Sequence, residues 1–153
     1  MAPFIDVFSP EKTADFLLID CRDRGDVLTN LKLQKLLYYA QAWYLALHQK
    51  PLFDEDFEAW VHGPVLPSQY RRFKEFEWKP ILREIPPLKP DDPVILSHLT
   101  EIVDVFGSET AVALEMMTHN ELPWKSARSG IPLDQPSSSV ISKESMQSYY
   151  KSL

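Results

Sequence analysis

Between Thr29 and Pro51 the chain carries one long patterned run that admits few structures. Leu33, Leu36, Leu37, Ala40, Trp43, Tyr44 and Leu47 recur with the three-to-four-residue period of a helix. Tyr38, Tyr39 and Leu45 carry apolar character further round the cylinder, a wider stripe than a surface helix needs. The spacing predicts a central helix over about 30–48, contacted on several sides. Thr29 or Asn30 can offer a side-chain oxygen to its orphan N–H groups, and Pro51 stops it. Lys32, Gln34, Lys35 and Gln41 interrupt the stretch, which excludes a membrane span. Whatever else forms must pack around this helix.

The flanking sequence supplies the elements to do so. Ser9-Pro10-Glu11 is a helix start, and Ala14, Leu17, Leu18 and Cys21 form an apolar stripe ended by Asp23-Arg24-Gly25-Asp26. Phe57, Ala59 and Val61 alternate with Glu58, Trp60 and His62, which predicts a short strand stopped by Gly63-Pro64. A helix follows from Pro67 to about Phe76. Pro80, Pro86, Pro87, Pro90 and Pro93 make residues 80–93 an extended connector, docked through Ile81, Leu82, Ile85 and Leu88. Ile95, Leu96, Leu99, Ile102, Val103 and Phe106 keep helical spacing up to Gly107, and Ser108 reads as the cap of a next helix with Ala111, Leu114 and Met117 inward. A short helical turn through Arg128 and a Ser- and Pro-rich loop over 129–139 come next. Val140-Ile141 can pair with the earlier strand, and Ser142 caps a terminal helix with Ile141 and Met146 as its hydrophobic staple. The expectation is a mainly α fold: a single compact helical domain over 1–153, its core about 9–150. It has at most a small antiparallel β element, about 57–61 with 138–142.

Composition narrows the function classes. Four Trp, six Tyr and eight Phe among 153 residues are ample for a core and exclude intrinsic disorder. Acidic residues outnumber basic ones by 22 to 16, a net charge of −6, which argues against a general nucleic-acid binder. Cys21 is the single cysteine, so no internal disulfide forms, and its place on an apolar stripe makes it a small buried hydrophobe. Met1 to Asp6 lack the basic and apolar regions of a secretory signal, so a cytoplasmic location is expected.

No catalytic constellation is legible. His48, His62, His98 and His119 stand in none of the paired spacings that bind zinc. Glycines at 25, 63, 107 and 130 are too scattered for a phosphate-binding loop. No metal, cofactor or catalytic residue is expected, and the chain is read as a non-enzyme. Asp54, Glu55, Asp56 and Glu58 read as a strand edge guarded by charge, with docking of a basic partner as the other reading. Arg71-Arg72-Phe73-Lys74 is answered at once by Glu75 and Glu77 and reads as a solvated helical face. Trp60 and His62, two apart on a strand, project from one face, either into the core or as an interface anchor.

Four stretches in order carry a family resemblance: Thr29 to Trp43, Phe57 to Val65, Tyr70-Arg71-Arg72-Phe73, and Thr118 to Trp124 with Ala127-Arg128. Together they resemble the SocA-like, or Panacea, antitoxin domain family, also found in phage- and mobile-element-associated proteins. The resemblance runs from Ser9 to about Tyr150. It implies an antitoxin that neutralises a cognate toxin by direct protein–protein binding. The family also offers a second route, a proteolytic adaptor delivering the toxin to an AAA+ protease such as ClpXP. A third reading is a phage-encoded protein that binds a host factor. No membrane or operator DNA is expected as a partner, and homo-oligomer formation stays open. Carried over by position, Lys35, Tyr38, Trp60, His62, His119, Trp124 and Arg128 are the candidate toxin-binding residues. Leu33, Gln34, Leu36, Gly63, Pro64 and Pro123 are the structural motif. Structural roles compete for two of the candidates: a buried His119 bonded to backbone, and Arg128 capping carbonyls at a helix end.

Overall fold

The computed structural model describes residues 5–153. Seven helices and a three-stranded sheet follow in the order α1 (Pro10–Asp23), α2 (Asn30–His48), β1 (Phe57–Trp60), β2 (Gly63–Val65), α3 (Pro67–Arg72), α4 (Pro93–Phe106), α5 (Ala111–His119), α6 (Leu122–Arg128), β3 (Val140–Ile141) and α7 (Lys143–Lys151). The mainly α expectation holds, with α2 at the centre: α1, α4, α5, α7 and β2 all pack on it. Thr29 is its N-cap, accepting from the Lys32 N–H, and Gln49 closes it in a left-handed conformation at φ 55°.

The polar residues that break the stripe of α2 are buried for a reason. Gln41 donates to the Phe53 carbonyl and accepts from the Leu52 N–H, both at 2.8 Å, so it satisfies the loop that leaves the helix. Gln34 accepts from the Leu66 N–H at 2.9 Å and donates to Asn30, which donates in turn to the Tyr70 carbonyl. Each offers a buried backbone group the partner that water would otherwise supply. The inner stripe differs from expectation at its end. Leu47 is 58% exposed, and Trp43 is half-buried, because the last turn projects beside α4, where both line a shallow cavity with Val105.

The sheet has the order β2-β1-β3, antiparallel throughout. The pairing of Phe57 with Ile141 and Glu58 with Val140 matches the pairing expected from sequence. Gly63-Pro64 does not end the β structure, however. It opens β2, which pairs back on β1 with Trp60 opposite Gly63. Pro64 is tolerated because β2 is an edge strand, and Gly63 supplies the φ of +114° that the tight return needs.

Three further boundaries differ. The helix from Pro67 ends at Arg72 rather than near Phe76, and a 3-10 turn over Lys74–Phe76 follows. Phe73 is pulled fully inside there, with the guanidinium groups of Arg72 and Arg83 at 4.6 and 4.9 Å from its ring centre. Arg72 is also paired with Asp15 at 2.7 Å, so it ties α3 to α1 instead of facing solvent freely. In the connector, Ile81 is buried and its N–H donates to Leu28, whereas Leu82 faces solvent. The cap of α5 is Thr110, not Ser108: Gly107 continues with right-handed dihedrals, so the turn takes up residues 107–109. The C-terminal end follows expectation, with Ser142 accepting from the Ser145 N–H and Ile141 and Met146 both buried.

Candidate functional site

The hairpin β1–β2 brings most of the motif residues together, because its tight return presses on α2 and α5. A Cβ at Gly63 would meet Lys35 Cε at 2.9 Å and Thr118 Oγ1 at 3.1 Å. Lys35 is fully buried, and its Nζ finds no hydrogen-bond partner among the described residues. Burial lowers its pKa to about 7, against the opposing pull of Glu115.

The next layer is aromatic and cationic. His119 stacks on Trp124 with ring centres 4.0 Å apart. Trp124 donates its indole N–H to the Trp60 carbonyl at 2.9 Å. The Arg128 guanidinium lies 4.8 Å from the Trp124 ring centre and donates to Ala59, Pro132 and Gln135 carbonyls. It thereby pins β1 and the loop after α6 to the same helix. Burial lowers the His119 pKa, with Lys35 and Arg128 pushing the same way while Glu115 and the Val61 backbone oppose them. Its Nε2 is buried without a partner among the described residues.

Tyr38 sits in a separate cluster with α7. Its hydroxyl is 3.0 Å from that of Tyr150, while Glu121 accepts from Tyr39 at 2.7 Å and from Tyr150 at 2.8 Å. Burial raises the Glu121 carboxyl, opposed by these two donors, and holds all three phenols well above the usual tyrosine range.

The structure therefore divides the seven candidate residues. Lys35, Tyr38, Trp124 and Arg128 are inside, and their contacts join α2, the hairpin, α6 and α7. His119 is half-buried. Trp60 and His62 reach the surface, where His62 Nδ1 lies 3.0 Å from Glu115 and its side chain is 71% exposed. The six motif residues Leu33, Gln34, Leu36, Gly63, Pro64 and Pro123 are all buried.

Trp60 and His62 open onto a groove of about 630 Å³, also lined by Leu31, Tyr70, Glu77 and Trp78. Tyr70 meets Trp60 edge to face at 4.9 Å, and Trp60 donates its indole N–H to Glu58 at 2.8 Å. Trp78 is 76% exposed. The residue before it, Glu77, holds a φ of 54°, a left-handed conformation that a non-glycine side chain rarely adopts. Sequence reasoning passed over Trp78. Its only signal was a lone aromatic between Glu77 and Lys79 outside any helical or strand period.

Among the described residues no group of three or more His, Cys, Asp or Glu side chains is placed to hold a metal ion. Nor is any helix among them long and apolar enough to cross a membrane.

Fold and groove together define a mainly α domain whose motif residues are largely internal and whose strongly exposed Trp78 stands in one cleft with Trp60 and Tyr70. Comparison with known proteins finds two similarities. Residues 33–92 match the family model described as Antitoxin SocA-like, Panacea domain. Antitoxin SocA of Caulobacter vibrioides (strain NA1000 / CB15N) is 38% identical over 127 residues, a match covering 77% of this chain and 65% of that protein. Over residues 33–92 the chain is thus similar to the Antitoxin SocA-like Panacea domain. The match spans slightly under two thirds of that relative's length. No solved structure matches the chain.

Proposed function

We propose that this protein is an antitoxin of a bacterial toxin–antitoxin pair, which neutralises its cognate toxin in the cytoplasm by direct protein–protein binding and without turnover. The observation that carries the reading is the 127-residue similarity to an antitoxin, together with the family-model match over residues 33–92, which includes Trp60, Tyr70 and Trp78 of the groove wall. The groove supports binding as the mode of action. It gathers Trp60, Tyr70 and Trp78 beside Leu31, and exposed aromatics next to apolar surface are the side chains that anchor protein interfaces. Of the seven candidate residues, Trp60 and His62 are the two that line this groove, and they are assigned to the toxin-binding face. Lys35, Trp124 and Arg128 act from beneath it by fixing the hairpin, and Tyr38 holds α7 against α2.

The test is co-expression with the product of the adjacent gene. A product that arrests growth alone is expected to co-purify with this chain in fixed stoichiometry and to be silenced by it. Rescue should persist in a strain lacking AAA+ proteases. Rescue that vanishes there would replace occlusion with delivery to a protease, and an adjacent product that is neither toxic nor bound would remove the antitoxin reading.

A further inference from the structure

The groove differs from an ordinary apolar cleft in its charge. Trp60, Tyr70 and Trp78 give it aromatic faces. Two carboxylates stand beside them without a cation. Glu77 lines the groove, and Glu58 is held at the indole of Trp60 by the 2.8 Å hydrogen bond. Neither forms an ion pair among the described residues, although neighbouring acids do: Asp56 pairs with Lys143 and Glu75 with Arg83. No lysine or arginine lines the groove. Its one basic liner, His62, already faces Glu115. Lys79 approaches the Trp78 ring at 5.9 Å from outside the lining, the far limit of a cation–π contact. The whole chain carries a net charge of −6.

Aromatic faces attract cations through the negative potential of the ring, and they also cover the apolar stem of a long basic side chain. Carboxylates at the ring edges then meet the charged head, and a guanidinium can pair with one of them in a fork. An acidic or nucleic-acid ligand would meet Glu58 and Glu77 with like charge and no compensating base. We propose that the groove between Trp60, Tyr70 and Trp78 receives a basic segment of the protein partner, an arginine or lysine lying against the aromatic faces with its charge between Glu58 and Glu77. This rests on the reading of the groove as the toxin-binding face, and it states the chemistry of the toxin segment bound there. The conformation of Glu77 fits this role. A left-handed non-glycine residue is retained where the surrounding chain needs that direction, and here it sets the bend that carries Trp78 into solvent at the groove.

The experiment follows the four indole N–H signals of the isotope-labelled full chain by nuclear magnetic resonance. The probe is a short alanine-based peptide bearing two arginines, set against a twin bearing citrulline, which has the same shape without the charge. The arginine peptide is expected to move the Trp60 and Trp78 signals and leave those of Trp43 and Trp124 in place. The citrulline twin should bind at least tenfold more weakly. Joint replacement E58Q and E77Q should weaken the arginine peptide about as much, and W78A, a change at an exposed site, should abolish the response with the fold intact. Equal binding of the two peptides, or no movement of Trp60 and Trp78 at millimolar peptide, overturns the proposal. So does full toxin neutralisation by a chain carrying E58Q, E77Q and W78A. Loss of the antitoxin reading would show instead as a native chain that neutralises nothing, while the peptide titration still decides the groove.

Discussion

Lys35 is a long basic side chain with no solvent and no partner for Nζ among the described residues. Its folded pKa of about 7 lies below the ordinary 10.5, so between those values the unfolded chain binds a proton that the folded chain releases. Stability should therefore rise with pH through this window and fall as pH drops through 7. K35M keeps the bulk and removes the titration. Urea unfolding across the window should show a slope in the native chain that exceeds the variant's by up to ~1.4 kcal/mol per pH unit. Equal slopes would mean that Lys35 keeps its proton in the fold. Gly63 is the complementary case. G63A would place a methyl 2.9 Å from Lys35 Cε at a φ of +114°, and a loss of about 1–3 kcal/mol in denaturant midpoints is expected. At this scale the sequence singled out positions that the fold largely brings together, but not where their side chains point. Lys35, Trp124 and Arg128 look like interface residues because they have polar tips, yet those tips serve hairpin and loop carbonyls or are simply enclosed. Nothing in a one-dimensional pattern separates a polar tip that meets backbone from one that meets a partner.

Elements were more legible. The period of α2, the pairing of β1 with β3 and the Ser142 cap follow from spacing and capping chemistry alone. The misses have a common cause: a local signal overruled by packing. Gly63-Pro64 reads as a stop, but an edge strand has no use for the missing N–H on its open side. Ser108 is a good cap by residue type, but Gly107 stays right-handed and moves the start of α5 to Thr110. The burial of Phe73 breaks α3 three residues before the apolar spacing runs out. The staple at the foot of α7 gives a test on this scale. M146A removes a fully buried side chain on the first turn of α7 and should cost about 2–5 kcal/mol, read from urea unfolding. S142A should cost about 1 kcal/mol through the lost cap. A staple of no structural weight would leave M146A close to the native midpoint.

For the whole molecule, the hydrophobic cluster runs through α1, α2, α4 and α7 and strands β1 and β3, with α2 supplying the largest share of its residues. Amide exchange should be slowest in α2, and fastest in the loop over 129–139 and the connector beyond Ile81, where backbone bonding is sparse. Uniform exchange rates would mean that α2 does not anchor the fold. The direction of partner charge belongs to this scale too. A chain of net charge −6 that binds a basic segment should associate faster at low ionic strength, and the association rate should fall as salt rises. The functional expectation came from the sequence only through four motifs in order, since composition and charge reached no further than a folded acidic domain.

The position of α7 bears on how the molecule is made. Tyr150 from this last helix covers Tyr38, Tyr39 and Trp43, so one side of α2 has no lining until residues 143–151 arrive. During synthesis the ribosome delivers α2 well before α7, leaving an aromatic face open over the interval between them. The hairpin return that rests on Lys35 can close earlier, but the helix beneath it is not yet held on its far side. A chain that has α2 but not yet α7 therefore shows its aromatic face to solvent, and that interval is when chaperones and proteases have their best access to it.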